Sequence, residues 1–128
     1  MKKMIALLLA AMMVLSMAAC ASKTAAAADS DLAYIQDKGT LVIGITDFEP
    51  MDYKDADGSW IGFDADMAKA FAESLGVTAE FVEIDWDNKI LELDSKTIDC
   101  VWNGMTLTAE VTSTMECSNA YCNNAQVV

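Results

Sequence analysis

Three stretches of the chain carry the apolar patterns that are typical of buried β-strands. Residues 41–45 (Leu-Val-Ile-Gly-Ile) are uncharged and mostly β-branched, which favours a strand covered on both faces. Residues 77–84 alternate between apolar and polar positions, so a second strand is predicted there. Residues 98–102 (Ile-Asp-Cys-Val-Trp) form the third predicted strand.

Apolar positions three and four residues apart predict helices between and around these strands. The longest helix has Asp64 in its N-cap region and ends at Gly76, a residue type that commonly follows a helix. Its predicted apolar face consists of Met67, Ala70, Phe71, Ser74 and Leu75. Shorter helices are predicted over residues 31–38, 85–93 and 108–115, the last of them capped by Thr108.

A β-hairpin is predicted between the first strand and the long helix. Residues 51–53 and 60–63 flank a polar run, Asp55-Ala56-Asp57-Gly58-Ser59, in which Asp57-Gly58 is expected to form the turn. Beyond the last helix, residues 121–128 are expected to begin another extended segment.

The order strand, helix, strand, helix, strand predicts an α/β fold with a mostly parallel sheet flanked by helices. In such sheets, ligands bind beyond the carboxyl ends of the strands. Three loops follow strand ends, at residues 47–50, 84–86 and 103–108. The third loop, Asn-Gly-Met-Thr-Leu-Thr, is rich in small hydrogen-bonding groups. We therefore expect the three loops to converge on a site for a small polar ligand.

The N-terminal residues differ in composition from the rest of the chain. Two lysines precede an uncharged apolar run, residues 5–19, which is too short for an ordinary spanning helix and is typical of a secretory signal peptide. The run ends in Leu-Ser-Met-Ala-Ala-Cys, which resembles the lipobox of bacterial lipoproteins. The resemblance implies a signal peptide over residues 1–19 and a lipid anchor on Cys20. Plain secretion, with Cys20 as a spare thiol, is the alternative.

Residues 20–30 are predicted to join the lipid anchor to the domain, because the Ala-rich run after Cys20 has no periodicity and is typical of a flexible tether. The folded part then covers residues 31–128. Its length suffices for one modest hydrophobic core.

Charge excludes one large class of partners. The chain has 20 acidic residues, 8 lysines, no arginine and no histidine, and its net charge is −12. A chain this negative repels phosphate backbones, so nucleic-acid binding is not expected. The lack of histidine also removes the commonest general base and the commonest metal ligand.

The cysteines after Cys20 are odd in number. Cys100 lies in an apolar strand and is expected to be a small buried residue. Cys117 and Cys122 either pair or stay free, because an exported chain is able to form disulfides. A zinc site between these two cysteines lacks further ligands, and no metal or cofactor is predicted.

Two groups of acidic residues invite a sharper interpretation. Asp55-Ala56-Asp57-Gly58 resembles part of an EF-hand calcium loop, but Tyr53 occupies the position of its first ligand. Asp64 and Asp66 are interpreted as helix-capping and solvent-facing residues rather than as a catalytic pair. No calcium site and no catalytic residues are predicted.

Several motifs resemble those of the family 3 extracellular solute-binding proteins of ABC transporters, which are chiefly amino-acid binders. Gly62-Phe63-Asp64 matches the family's Gly-Phe-Asp before its first helix, and residues 104–108 match its Gly-Met-Thr-x-Thr after the third strand. Further matches include "GTLVIGITDFEPMDY", "DWDNKILEL" and "CSNAY". The resemblance implies a periplasmic-binding-protein-like fold of type II, with this chain forming its N-terminal lobe.

The resemblance also implies roles for individual positions. Phe48 matches an aromatic residue that stacks on the ligand, and Trp86 matches one that covers its other side. The segment that matches the family's donors and acceptors for the ligand's amino and carboxylate groups consists of Asn103, Gly104, Met105 and Thr106. The family's next ligand residue is an arginine that clamps the α-carboxylate through two hydrogen bonds. That position in this chain is Val111.

The missing arginine leaves the charge of the ligand open. A buried carboxylate without a partner is costly, and no neighbouring arginine replaces the missing one. Lys96 is the nearest basic residue in sequence, but it lies before the third strand, at the wrong end. The ligand is therefore differently charged, held from elsewhere, or neutral. Asp47 and Glu49 in the first loop would suit an amine or cationic ligand.

Family members also have a second lobe, to which the chain crosses and from which it returns. Residues 31–128 are therefore expected to be an incomplete solute-binding domain, either a fragment of a longer chain or the product of a truncated gene. Closure of two lobes around a ligand would then be impossible within this chain.

We expect a lipoprotein outside the membrane that captures an amino acid or a related small solute and delivers it to ABC permease subunits. No nucleophile–base pair is visible, so the chain is not expected to be an enzyme. One alternative is an enzyme of the same fold, similar to cyclohexadienyl dehydratases, with Glu110 or Asp47 as its acid or base. The other alternative is the ligand-sensing domain of a receptor.

Overall fold

The structure is a computed structural model and describes residues 30–125. The predicted signal peptide, Cys20 and almost all of the predicted tether lie outside the described residues, as do residues 126–128. The described residues fall into two units, with a boundary between Tyr34 and Ile35. Only residues 30–34 of the first unit are described.

The described residues form an α/β arrangement in which helices and strands alternate. The helices are α1 (Asp31–Lys38), α2 (Phe63–Ser74), α3 (Lys89–Asp94) and α4 (Ala109–Thr114), and a 3₁₀ turn (Trp86–Asn88) precedes α3. The strands are β1 (Thr40–Ile45), β2 (Tyr53–Lys54), β3 (Trp60–Ile61), β4 (Thr78–Glu83) and β5 (Cys100–Val101). No helix among the described residues has the length and apolar character needed to cross a membrane.

A three-stranded parallel sheet in the order β4-β1-β5 confirms the predicted sheet. β1 pairs with β4 from Thr40–Thr78 to Ile45–Glu83, and with β5 at Ile43–Cys100 and Gly44–Val101. The uncharged strand β1 therefore lies in the centre, where both of its faces are covered. The predicted third strand, residues 98–102, is shorter in the structure and pairs over two residues only.

The hydrophobic core lies between β1 and α2. Leu41 and Ile43 of β1 pack with Ala68 and Ala72 of α2 and with Ile35, and all five are buried. A second cluster joins Ile45 of β1, Trp60 of β3 and Ala65 of α2. The buried apolar residues that α2 contributes are all alanines, so the helix packs on the sheet through short side chains.

The sequence placed the apolar face of α2 one position out of register. The buried positions are Asp64, Ala65, Ala68 and Ala72, whereas Ala70, Phe71 and Ser74 of the predicted face are exposed. Large apolar side chains at 67, 71 and 75 gave a misleading pattern, because the close approach of α2 to β1 selects alanine. The end of α2 is confirmed: Gly76 has φ +76°, and the N–H groups of Gly76 and Val77 bond to the Glu73 and Ala72 carbonyls.

The predicted hairpin is confirmed, with β2 and β3 antiparallel. Its loop is longer than a two-residue turn. The Asp55 carboxylate stabilises this loop by accepting hydrogen bonds from the N–H groups of Asp57 and Ser59, each at 2.9 Å. Gly58 has φ +80° and donates its N–H to the Asp55 carbonyl. The Asp55 carboxylate is thus used by the loop itself. Among residues 30–125, no group of acidic or cysteine side chains is arranged to hold a metal ion.

The segment after α4 returns towards α2. The Tyr121 ring lies 6.3 Å from the Phe63 ring and 6.4 Å from the Trp102 ring, measured between centroids. Residues 116–125 contain neither helix nor strand. Cys117 and Cys122 are free thiols, as is the half-buried Cys100, and burial followed by the nearby Asp99 raises the pKa of Cys100 to about 12.

Candidate functional site

A cavity of about 430 Å³ opens at the carboxyl ends of the three parallel strands. Its walls come from the loop after β1, the 3₁₀ turn after β4, and the loop between β5 and α4. The lining residues are Thr46, Phe48, Trp86, Lys89, Asn103, Gly104, Met105, Thr106, Thr108 and Val111. The structure thus brings together all six residues that the sequence predicts as ligand contacts. Their contact with a ligand stays a prediction.

Phe48 forms the outer wall of the cavity and is 52% exposed. Its backbone is fixed, because its N–H donates to the Asp52 carbonyl at 2.6 Å and the Asp52 N–H donates back at 3.0 Å. The ring packs against Gly104, where a Cβ atom would lie only 3.3 Å from a carbon of the Phe48 ring. Gly104 also has φ +39°, a region that favours glycine. The aromatic wall therefore depends on glycine at position 104.

Asn103 joins the ends of two strands. Its side-chain N–H donates to the Thr46 hydroxyl at 2.6 Å, and its side-chain oxygen accepts from the Thr46 backbone N–H at 3.3 Å. Asn103 is 9% exposed, so these bonds hold a nearly buried amide. One amide proton stays outside this pair of bonds and is available to a ligand. The first effect of Asn103 is to position the cavity floor.

The loop after Gly104 presents a hydroxyl group at the cavity. Thr106 accepts a hydrogen bond from the Asn124 side chain at 3.0 Å, so the Thr106 hydroxyl proton is still available for a ligand acceptor. The prediction that Thr108 caps the next helix is confirmed, since its hydroxyl accepts from the Val111 N–H at 3.3 Å. The Val111 side chain is 9% exposed and makes this part of the lining apolar.

Trp86 and Lys89 form the cavity wall that follows β4. Asp85 starts the 3₁₀ turn by accepting a hydrogen bond from the Asp87 N–H at 3.0 Å. Lys89 donates from Nζ to the Trp86 carbonyl at 3.0 Å, and Nζ lies 4.7 Å from the centroid of the Trp86 ring. Sequence reasoning missed Lys89 as a lining residue. The signal was its position three residues after Trp86 in a predicted helix, where side chains share a face.

The acidic residues considered for the site do not line the cavity. Asp47 and Glu49, which would have suited an amine, are exposed and outside the lining. Glu110, the candidate acid or base of an enzyme, is likewise exposed and outside the lining. Among the described lining residues, Lys89 is the only one with an ionisable side chain that carries charge at neutral pH.

Two buried carboxylates lie behind the cavity loop. Asp52 and Asp64 are both 0% exposed, so the interpretation of Asp64 as a solvent-facing residue is wrong. Asp64 does not cap α2 either, because the N-cap is Gly62 and no side chain makes a capping hydrogen bond there. Asp64 Oδ2 accepts from the Gly104 N–H at 2.9 Å, which ties the start of α2 to the cavity loop. Asp66, in contrast, is exposed and lies 3.5 Å from the Lys69 ammonium. Asp64 therefore connects two parts of the fold, whereas Asp66 makes a surface ion pair.

The pair is short of hydrogen bonds. Both oxygens of Asp52 and Oδ1 of Asp64 lack a hydrogen bond of good geometry within the described residues, although the Ala65 N–H lies near Asp52 and the Tyr121 hydroxyl near Asp64. Burial, and then the neighbouring charge of Asp64, raise the pKa of Asp52 to about 7, while the backbone N–H of Ala65 acts in the opposite direction. Near neutral pH, Asp52 is consequently present in both protonation states.

The family follows from comparison with known proteins. Residues 41–128 match the model of the bacterial extracellular solute-binding proteins, family 3. The chain belongs to this family. It is 34% identical over 122 residues to the arginine-binding extracellular protein ArtP of Bacillus subtilis, covering 94% of this chain and 45% of ArtP. It is 33% identical over 95 residues to a cyclohexadienyl dehydratase of Pseudomonas aeruginosa, covering 73% of this chain and 35% of that protein.

A solved structure of a single domain also resembles the chain. The arginine-bound form of domain 1 from TmArgBP, the ArgBP of T. maritima, superimposes with a TM-score of 0.60 at 38% identity. The match covers 62% of this chain and 64% of that domain. The predicted fold class is thereby confirmed. The chain spans less than half the length of the two curated relatives.

Proposed function

We propose that the protein captures an amino acid, or a chemically related small solute, outside the cytoplasm for uptake by an ABC importer. The observation that supports this most is the convergence of three loops on one cavity at the carboxyl ends of β1, β4 and β5. Ligands of open α/β sheets bind at such edges. The names of the relatives agree with this proposal, since ArtP is an arginine-binding extracellular protein.

The cavity has the properties that capture of a small solute requires. Its volume of about 430 Å³ falls within the usual range for small-molecule sites, and its lining is apolar with a few polar groups. Phe48 and Trp86 offer ring faces to the ligand, and the Thr106 hydroxyl and Asn103 amide offer hydrogen bonds. In this proposal, the rings supply contact area and the polar groups set orientation.

Anchoring and delivery are further parts of the proposal. The resemblance to a lipobox supports a diacylglycerol anchor on Cys20, which would hold the protein beside its permease. The anchored protein then faces the solvent, where its net negative charge favours solubility. Metabolic labelling with a radioactive fatty acid, with Cys20→Ser as the control, tests the anchor directly.

One lobe offers enough contacts for measurable binding in this proposal. The support comes from the solved structure of the arginine-bound form of domain 1 from TmArgBP. A site that draws on one lobe lacks the contacts that a closed cleft would add, so we expect affinities in the micromolar to millimolar range.

A dehydratase of the same fold is the second candidate, because the Pseudomonas aeruginosa enzyme is a relative. Elimination of water needs an acid or base at the reacting atoms. No carboxylate is among the described lining residues of the cavity. Capture is therefore the better-supported function. Incubation with carboxylated cyclohexadienyl alcohols, followed by chromatography, distinguishes the two: formation of a dehydrated product would favour the enzyme.

Replacement of the aromatic walls tests capture. We expect Phe48→Ala and Trp86→Ala to weaken binding of the best amino acid about 5- to 30-fold, since truncating an aromatic anchor in a site costs about 1–2 kcal/mol. Isothermal titration calorimetry of the 128-residue chain with arginine, histidine and cystine gives the affinities. Phe63→Ala is the matched control, because Phe63 is 50% exposed, close to the 52% of Phe48, and lies outside the cavity lining.

The Phe63→Ala control decides whether Phe48 has a specific role in binding. Equal affinities of the Phe48→Ala and Phe63→Ala proteins would contradict a stacking role for Phe48. Absence of heat for every amino acid in the panel, with the protein folded by circular dichroism, would overturn capture of amino acids as the function.

A further inference from the structure

The charge of the cavity differs in sign from the charge of the chain. The chain carries −12, yet the lining of the cavity includes one charged side chain among the described residues, the ammonium of Lys89. The nearest acids in the loops, Asp47 and Glu49, stay outside the lining. A ligand in this cavity therefore lies beside one positive group, and the group that complements it is an anion.

Lys89 and Lys96 form no ion pair with a described residue, but only Lys89 is half-buried and lines the cavity. Lys38, Lys54 and Lys69 form ion pairs with Asp99, Glu83 and Asp66. Lys89 forms no ion pair with any described residue, although it is half-buried. An opposite charge nearby would favour a half-buried ammonium. The described residues supply no such charge to Lys89, so the site is able to take it from a ligand.

The ammonium is held in place but is not used up. Lys89 donates one hydrogen bond, to the Trp86 carbonyl at 3.0 Å, and the Trp86 ring lies 4.7 Å from Nζ. An ammonium has three protons, so two are left for a ligand. The carbonyl and the ring position the charge beside the aromatic wall without neutralising it.

We propose that Lys89 binds the carboxylate of the ligand and so takes over the charge that Val111 does not supply. This inference rests on the proposed function and names the ligand's chemistry: the solute bears a carboxylate, and that carboxylate lies at the Trp86 side of the cavity. Val111 is buried and its N–H is used by Thr108, so position 111 contributes an apolar surface only. Lys89 and Val111 both line the cavity, which places the cation and the apolar patch in one site.

Pairs of ligands that differ by one carboxylate test the inference. Arginine and histidine are compared with agmatine and histamine, their decarboxylated forms, by calorimetry on the 128-residue chain. We expect Lys89→Met to weaken binding of the two amino acids about 10- to 100-fold, which is the range for one hydrogen bond to a charged group. Binding of the two amines, already weaker in the unmodified protein, is expected to change less than threefold or to strengthen.

Lys96→Met is the matched control. It makes the same change in the net charge, and Lys96 is exposed and outside the cavity lining. We expect it to leave all affinities within twofold. Lys89→Arg, which keeps the charge, is expected to retain most of the affinity for the amino acids.

A second measurement varies the ionic strength. Affinity of the unmodified protein for arginine and histidine is expected to fall as sodium chloride rises from about 10 to 500 mM, since salt screens partly exposed ion pairs. Contacts to uncharged groups of the ligand are not expected to contribute to this fall. Loss of this dependence in the Lys89→Met protein would assign it to Lys89.

The outcomes separate the two proposals. Binding of amino acids that is equal in the unmodified and Lys89→Met proteins, or agmatine and histamine binding as tightly as their parent amino acids, would overturn the role of Lys89 and leave capture standing. Failure of every ligand to bind the folded, unmodified protein would overturn capture and the role of Lys89 together.

Discussion

At the scale of single residues, the shape of the cavity depends on a few residues that each make two contacts. Gly104 gives its N–H to Asp64 and its empty Cβ position to the ring of Phe48. Asn103 gives both ends of its amide to Thr46. These side chains and backbone groups hold the walls before any ligand arrives, so the cavity is largely preformed.

Gly104→Ala is expected to damage both the fold and the site. The positive φ makes alanine cost about 1 kcal/mol or more in the free energy of unfolding, and the new methyl group displaces the Phe48 ring. We expect amino-acid affinity to fall at least fivefold, measured by calorimetry, beside a lower melting temperature. Gly58→Ala is the control: φ there is +80° and no atom lies within 4 Å of the added carbon, so stability falls while affinity does not.

An unchanged affinity in the Gly104→Ala protein would show that the Phe48 ring does not contribute to the site. An affinity loss of the same size in the Gly58→Ala protein would instead show that general destabilisation is responsible.

The sequence predicts lining residues by type and by position after a strand, and it misses those that act through geometry. Phe48, Trp86 and Asn103 each follow a strand end and carry groups that recognise ligands. Asp64 was misinterpreted because its position at a helix start favours solvent exposure, whereas the close packing of α2 on β1 buries it. Lys89 was missed because a lysine on a short helix is normally a solvated residue.

At the scale of elements, the sequence predicts which helices and strands exist better than it predicts which face they bury. The bounds of α1 agree with the prediction, and the Gly76 end of α2 has the expected geometry. The buried face of α2 differs, because alanine contributes little to an apolar pattern and much to close packing. Patterns weighted by side-chain size therefore fail where a helix must approach a sheet closely.

Thr108→Ala tests the element that forms the last wall. Thr108 caps α4 by accepting the Val111 N–H, and loss of such a cap costs about 1 kcal/mol of stability. We expect a lower midpoint of urea unfolding with an unchanged slope. Thr114→Ala is the control on the same helix, since its hydroxyl bonds to carbonyls within α4 and alanine has the higher helix propensity. Equal midpoints for the two variants would contradict the capping role.

At the scale of the whole molecule, the central strand β1 unites the core and the site. Its middle residues pack on α2, and the residues at its carboxyl end begin the first wall of the cavity. The buried pair Asp52 and Asp64 lies behind that wall and connects the hairpin region, α2 and the loop at Gly104. A change in the charge of this pair therefore acts on the stability of the fold.

The raised pKa of Asp52 predicts a stability that falls as pH rises. Its pKa is 3.8 in the unfolded reference and about 7 in the fold, so the folded protein binds more protons between these values. The contribution is present below about pH 4 and is lost as pH rises through about 7. Urea unfolding of the unmodified and Asp52→Asn proteins from pH 4 to 8 measures it: the variant should gain stability relative to the unmodified protein as pH rises.

Asp66→Asn is the control for the pH series, because Asp66 is exposed and is paired only with Lys69 at the surface. We expect its pH dependence to follow that of the unmodified protein. A difference between the Asp52→Asn and unmodified proteins that stays constant from pH 4 to 8 would show that Asp52 does not titrate in this range.

The order of the strands has a consequence for folding. The walls of the cavity come from residues 46–48, 86–89 and 103–111, and β1 pairs with β5 across a separation of 57 residues. Before β5 joins the sheet, the folding chain has two walls and no partner on the β5 side of the central strand. The complete cavity consequently forms in one late step of folding, once residues 100–111 have joined the sheet.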